Sequence, residues 1–101
     1  MNKFYINYSS FLGQDARFIE SIEVAVKGIE WKLANSTQVN IYNYYFNIGW
    51  SLHQLFLQNR IENYFILAKK YIKMSLNLCI QFNESSIDQR TIRLYFNNMH
   101  I

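Results

Sequence analysis

Lys69, Lys70 and Lys73, followed after a short polar link by Gln89, Arg90 and Arg93, are the side chains whose types and spacing could do chemistry in this chain. That chemistry is the binding of anions. On a helix the three lysines share one side and can meet phosphates as point charges. A glutamine and two arginines in the opening turns of a following helix can reach phosphates and base edges together. The charge distribution agrees, because residues 1 to 59 hold four basic and four acidic side chains, whereas residues 60 to 101 hold six and three. The whole formal charge of +3 is therefore C-terminal. It falls below that of domains that hold nucleic acid on electrostatics alone. Nucleic-acid contact and an ordinary solvated face both remain open for these lysines.

Residues for catalysis are sparse. His53 sits in a long uncharged stretch and His100 at the C-terminal end, so the two make neither a metal pair nor part of a triad. Four of the seven carboxylates (Asp15, Glu20, Glu23 and Glu30) fall on or next to one N-terminal helix, and no glycine-rich phosphate loop or nucleophile elbow occurs. Cys79 is the one cysteine, in an apolar run, and reads as a buried thiol rather than a disulfide or zinc ligand. The expectation is a non-enzyme with no cofactor and no metal.

The elements that must position the basic residues follow from hydropathy and charge. Between Lys32 and Arg60 lie 27 residues without Asp, Glu, Lys or Arg, in a chain that is 50% hydrophobic and 18% aromatic. Asn40, Asn43, Asn47, His53 and Gln54 interrupt this segment too often for a membrane span, so it reads as the central helix of a soluble core. No signal peptide is expected after Met1-Asn-Lys, and the location expected is the cytoplasm. With no proline and three glycines, an all-α fold is favoured. An abundance of Asn, Ile, Lys, Tyr and Phe hints at an AT-rich bacterial, phage or plasmid genome.

The reading is one domain, residues 1–101, built as a short extended N-terminal arm (1–12) and a four-helix core (13–99). The arm rests on the alternation of Phe4, Ile6 and Tyr8 with Tyr5 and Asn7. Asp15 caps a first helix at about 15 to 34, whose stripe Ile19, Ile22, Val26, Ile29 and Leu33 is expected to face the core, with Val24, Gly28 and Trp31 as a second contact line. The central helix presents Ile41, Tyr45, Ile48, Leu52 and Leu55 inward. Its uncharged amide stripe, including Asn40, Asn43, Asn47 and Gln54, is a candidate subunit interface or a solvated face. Asn59 and Glu62 open a third helix with Tyr64, Leu67, Tyr71, Met74 and Leu78 on its apolar face. Ile87 and Asp88 open the last, with Ile92, Tyr95, Phe96 and Met99 inward and Gln89, Arg90, Arg93 and Asn97 outward. The last two helices resemble a helix-turn-helix in plan.

Tyr45-Phe46-Asn47-Ile48-Gly49 is similar to the Tyr-Trp-x-Ile-Gly signature of the N-terminal domain of YhcG-like bacterial proteins in the PD-(D/E)xK nuclease superfamily. Met74-Ser75, Leu78 and Phe82 fall where that domain has Leu-Ser, a following Leu and an apolar helix end. Ile87-Asp88, Arg90, Ile92 and Tyr95 follow its Phe-Ser-x-Arg-Asn-Leu-x-x-Met helix start. The resemblance spans residues 15 to 99. It departs at Ile66-Leu67, where the family has Trp-Gly, at Phe46 in place of Trp, and at Thr91 in place of Asn. It implies a winged-helix-like or helix-turn-helix DNA-binding module. The acidic residues show no PD-(D/E)xK spacing, so the nuclease half is expected to have no counterpart here.

Two functional expectations follow. The first is a non-catalytic module that binds nucleic acid, or a nucleoprotein complex, through Lys69, Lys70, Lys73, Gln89, Arg90 and Arg93. The second is a small phage-type inhibitor or adaptor that docks on a bacterial defence nucleoprotein effector, as an anti-CRISPR protein does. A homodimer through the uncharged helix is a third option.

Overall fold

The computed structural model describes residues 2–37 and 39–100 and is all-helical across them. Five helices occur among the described residues: α1 (Asn2–Gln14), α2 (Phe18–Ala34), α3 (Ile41–Asn59), α4 (Glu62–Gln81) and α5 (Ser86–Asn97). The uncharged segment is α3, the central rod. Helix α2 packs on one flank of it and α4 on another, α1 packs on α2 and reaches α3, and α5 packs on α4.

The N-terminal arm is the first correction. Residues 2 to 12 lie in α1 instead of an extended strand, and Met1 is outside the described residues. The burial of Ser9, Leu12 and Gly13, with Tyr5 and Ile6 half-buried, has a helical period that overrides the alternation read from four or five residues. Five helices thus replace the expected four.

Helix ends explain why so few breaks were visible. At the end of α1, Arg17 N–H bonds to Leu12 O at 2.8 Å and Ala16 N–H to Gly13 O at 3.1 Å, which is a Schellman closure. The same pair of bonds closes α2 through Thr37 and Ser36, and α4 through Glu84 and Asn83. The left-handed position that usually takes glycine is held by Ala16 (φ 60°), Ser36 (φ 53°) and Asn83 (φ 49°). Helix α5 begins at Ser86 rather than Asp88, because Ser85 is the cap and accepts Asp88 N–H at 3.2 Å. Since a left-handed L-residue costs about 1–2 kcal/mol and glycine's extra unfolded-state entropy recovers about 0.4–1 of that, Ala16→Gly is expected to stabilise the fold by roughly 0.5 kcal/mol. Urea denaturation would show it as a higher midpoint at unchanged slope.

The glycines serve packing instead. A Cβ on Gly28 of α2 would overlap the Tyr44 ring of α3, with Cζ at 2.5 Å and Cδ1 at 2.7 Å. A Cβ on Gly49 of α3 would meet the Ile72 side chain of α4 at 2.7 Å and its backbone nitrogen at 3.0 Å. Tyr44 and Ile72 are fully buried. Each flank of α3 therefore has one glycine where a bulky side chain seats against a helix backbone.

This packing corrects the first stripe. The buried face of α2 is Phe18, Ser21, Ala25, Gly28 and Lys32, a line of mostly small residues that admits Tyr44. Ile19, Val26 and Leu33 point outward, while Ile22 and Ile29 are only partly buried. In α4 the buried line is likewise Phe65, Ala68, Ile72, Ser75, Leu76 and Cys79, flanked by the half-buried Tyr64, Tyr71, Met74 and Leu78. The α3 stripe lies inward with Tyr45 half-buried, and Ile92 of α5 and Met99 just past its end lie in the core, with Tyr95 and Phe96 at the core's edge.

Candidate nucleic-acid interface

Helices α4 and α5 carry all the basic residues singled out by spacing. The ammonium of Lys69 lies 5.1 Å and that of Lys73 5.2 Å from the Phe96 ring centroid, so two lysines of α4 sit over one aromatic ring of α5. Such cation–π contacts are worth about 0.5–1 kcal/mol each at exposed sites, and here they tie the two helices together at the basic face. Lys70 projects over Tyr71 at 5.8 Å and is exposed, as are Lys73, Arg90 and Arg93. Among the described residues the ion pair present is Arg17–Glu20, at the far end of the molecule's sequence from this face.

Of the three acids of this region, Glu62 at the first turn of α4 is exposed, while Glu84 and Asp88 are partly buried and engaged by the start of α3. Asp88 is half-buried and accepts the Tyr42 hydroxyl of α3 at 2.5 Å, and Glu84 accepts the Asn40 backbone N–H at 2.9 Å. Burial, and then the Asp88 hydrogen bond, push the Tyr42 phenol well above its ordinary pKa. Lys32 is almost fully buried, within electrostatic reach of Glu84, and donates to Val39 O. Burial lowers its pKa while Glu84 pulls the other way. With Glu84 and Asp88 committed to the start of α3, the outer surface of α4 and α5 beyond Glu62 is more basic than composition implies.

Gln89 behaves differently from its neighbours. Its Nε2 donates to Glu84 O at 2.9 Å, which commits the side chain to the turn between α4 and α5. The residue that occupies the exposed opening turn is Ile87, three-quarters exposed, with Arg90 one turn on and Leu94 half-exposed beyond it. By spacing, Ile87 and Asp88 open the last helix; in the structure Ile87 already lies inside it, one residue after Ser86. Its position was set by the cap moving to Ser85.

The amide stripe of α3 divides in the structure. Asn47 donates to the hydroxyls of Ser9 and Ser10 of α1, each at 3.3 Å, and Gln54 hydrogen-bonds Tyr95 of α5. Asn40 is exposed at the turn before α3, and Asn43 lines a small cleft with Tyr42 and Asp88. Beneath Asn47 lies a buried hydroxyl cluster in which Ser9 and Ser21 each donate to the other's backbone carbonyl, at 2.9 and 2.7 Å, and Ser51 donates to Ser21 Oγ at 3.3 Å. The cleft above it, about 200 Å³, is smaller than the roughly 300–1,000 Å³ of ligand pockets, and its serines are occupied with one another.

His53 is neutral. The Tyr95 hydroxyl hydrogen-bonds both the Gln54 side chain and, at 2.6 Å, His53 Nδ1. Burial lowers the His53 pKa and raises that of Tyr95 to about 12. Because the unfolded chain protonates below about 6.5 and the folded one resists, stability is expected to fall as pH drops from about 6.5 through the depressed folded value. His53→Gln should flatten that part of the profile, measured as urea midpoints from pH 7.5 to 5.

Among the described residues no group of three His, Cys, Asp or Glu side chains could hold a metal ion, and no helix is long and apolar enough to cross a membrane. Compared with family models, curated proteins and solved structures, the chain matches none of them. The Tyr45–Gly49 segment is placed at the hub of the packing: Tyr45 stacks on Tyr71 at 6.1 Å, Phe46 meets Tyr95 edge-on at 5.5 Å, and Gly49 seats Ile72.

Proposed function

We propose that this chain is a non-catalytic nucleic-acid-binding module whose α4–α5 face engages a phosphate backbone. The observation that carries the reading is the segregation of charge: Glu84 and Asp88 are drawn to the start of α3, while Lys70, Lys73, Arg90 and Arg93 stand exposed. Lys69 and Lys73, seated on Phe96, would grip phosphate from a rigid base. Ile87 on the opening turn of α5 would meet base edges, as the second helix of a helix-turn-helix does, with Arg90 and Arg93 on the flanking phosphates and Gln89 setting the turn. The resemblance of residues 15 to 99 to the N-terminal domain of YhcG-like proteins supports the same reading, and the bacterial cytoplasm is the compartment it implies. A mobility shift with a mixed-sequence duplex at about 50 mM salt tests it, where even non-specific binders are retained at micromolar concentration. Absence of any shift there sinks the proposal.

The adaptor reading has its own support in the outward stripe of α2, an apolar surface that nucleic acid would not use. Under it, the target is a bacterial defence nucleoprotein effector and the α4–α5 cations face that effector's bound nucleic acid. Loss of activity on intact effector, with free duplex binding unchanged, on substitution of Val26 would favour it.

A further inference from the structure

The outer face of α2 repeats apolar residues at a strict spacing of seven: Ile19, Val26 and Leu33 are 52%, 40% and 57% exposed. Ile22 and Ile29, between them, reach the core with one side. Together the five make the a/d pattern of a coiled-coil seam, about 21 Å long, on a helix whose other face is fully used. A run of this length is more than scattered surface hydrophobics explain. At its N-terminal end the stripe opens into a cleft of about 260 Å³ lined by Ala16, Arg17, Phe18, Ile19, Leu55 and Gln58.

Charge decides what fits. The free edge of the stripe is bordered by Glu23 and Glu30, both exposed, at the positions that set partner choice in a helical pair. With Glu20 and Lys27 the exposed charge of α2 is net negative, in a chain whose total is +3. Anionic lipid and nucleic acid are repelled by such a border. A second copy joined through α2 about a two-fold axis would set Glu23 and Glu30 beside their own counterparts, a like-charge arrangement that disfavours pairing. A helix with an apolar seam and Lys or Arg at its flanks meets both the stripe and the acids.

We infer that the α2 face is a docking site for an amphipathic helix with basic flanks, contributed by a protein partner. It lies on a different helix from the α4–α5 cations and does not depend on their role. The test uses the full chain and two synthetic 21-residue peptides with one Leu/Ile seam, flanked by Lys in one and Glu in the other, read by fluorescence anisotropy at 0.1 M salt. The Lys-flanked peptide is expected to bind at least tenfold tighter, and Val26→Lys to weaken it at least tenfold while leaving the circular dichroism unchanged. Glu23→Lys/Glu30→Lys is expected to invert the preference. The inference is overturned if the peptides bind equally or not at all, or if the charge swap leaves the preference intact. It is equally overturned if light scattering shows the chain itself dimerising in a way that Val26→Lys abolishes, or if the stripe instead binds anionic vesicles.

Discussion

Gly28→Ala is expected to destabilise this protein by about 2 kcal/mol, although alanine is the better helix former by about 1 kcal/mol. In an exposed helix the substitution would stabilise. Here the added methyl enters the space of the Tyr44 ring, which is completely buried against α2 and has nowhere to move. Interiors packed at crystal density transmit such an intrusion, so α2 must lift from α3 or the ring must leave its rotamer. For a chain of 101 residues the loss corresponds to a melting temperature lower by roughly 8–16 °C. Tyr44→Leu removes the colliding atoms, and in that background Gly28→Ala should cost less than about 0.5 kcal/mol, giving a coupling energy above about 1 kcal/mol. A neutral or stabilising Gly28→Ala, or an uncoupled pair, would mean that the α2–α3 interface is not built as described.

The second large effect concerns binding. Replacing Arg90 and Arg93 together by Gln is expected to weaken duplex binding about 60-fold at 0.1 M salt, because each lost phosphate contact removes nearly one unit of log-log salt dependence. Both side chains are exposed, so stability should change by less than about 0.5 kcal/mol. Lys69→Gln/Lys73→Gln should cost similar affinity and, in addition, about 1–2 kcal/mol of stability through the two lost contacts with Phe96. The contrast separates two roles: arginines that only bind, and lysines that bind while holding α5 on α4. Equal stability loss in both variants, or unchanged binding in both, would contradict this division.

What the sequence made legible is the part written in large apolar residues and in charge. Helix α3 is visible because 27 residues without a formal charge have few explanations, and the inward set at the C-terminus because Ile92, Tyr95, Phe96 and Met99 are large and apolar. The inner face of α2 was not, since Ser21, Ala25, Gly28 and Lys32 register as small or polar, yet close approach of Tyr44 buries them. The larger residues beside them form the outward stripe instead. Helix α1 was missed because a few alternating residues mimic a strand, and its end because Ala16 stands where a glycine would have announced a Schellman turn. The inward commitment of Asp88 is made by a hydroxyl 46 residues away and that of Glu84 by a backbone amide 44 residues away, separations at which spacing carries no signal. Spacing groups the basic residues of α4 and α5, but Gln89's return to the turn and the exposure of Ile87 depend on a cap one turn earlier than spacing suggests.

The most direct measurement is the salt dependence of binding of the unaltered chain to a duplex, from 50 to 300 mM monovalent salt. Four or five phosphate contacts from Lys69, Lys70, Lys73, Arg90 and Arg93 predict a slope of log K against log salt of about −3.5 to −4.5. A slope near zero, or no binding at the lowest salt, would contradict the account.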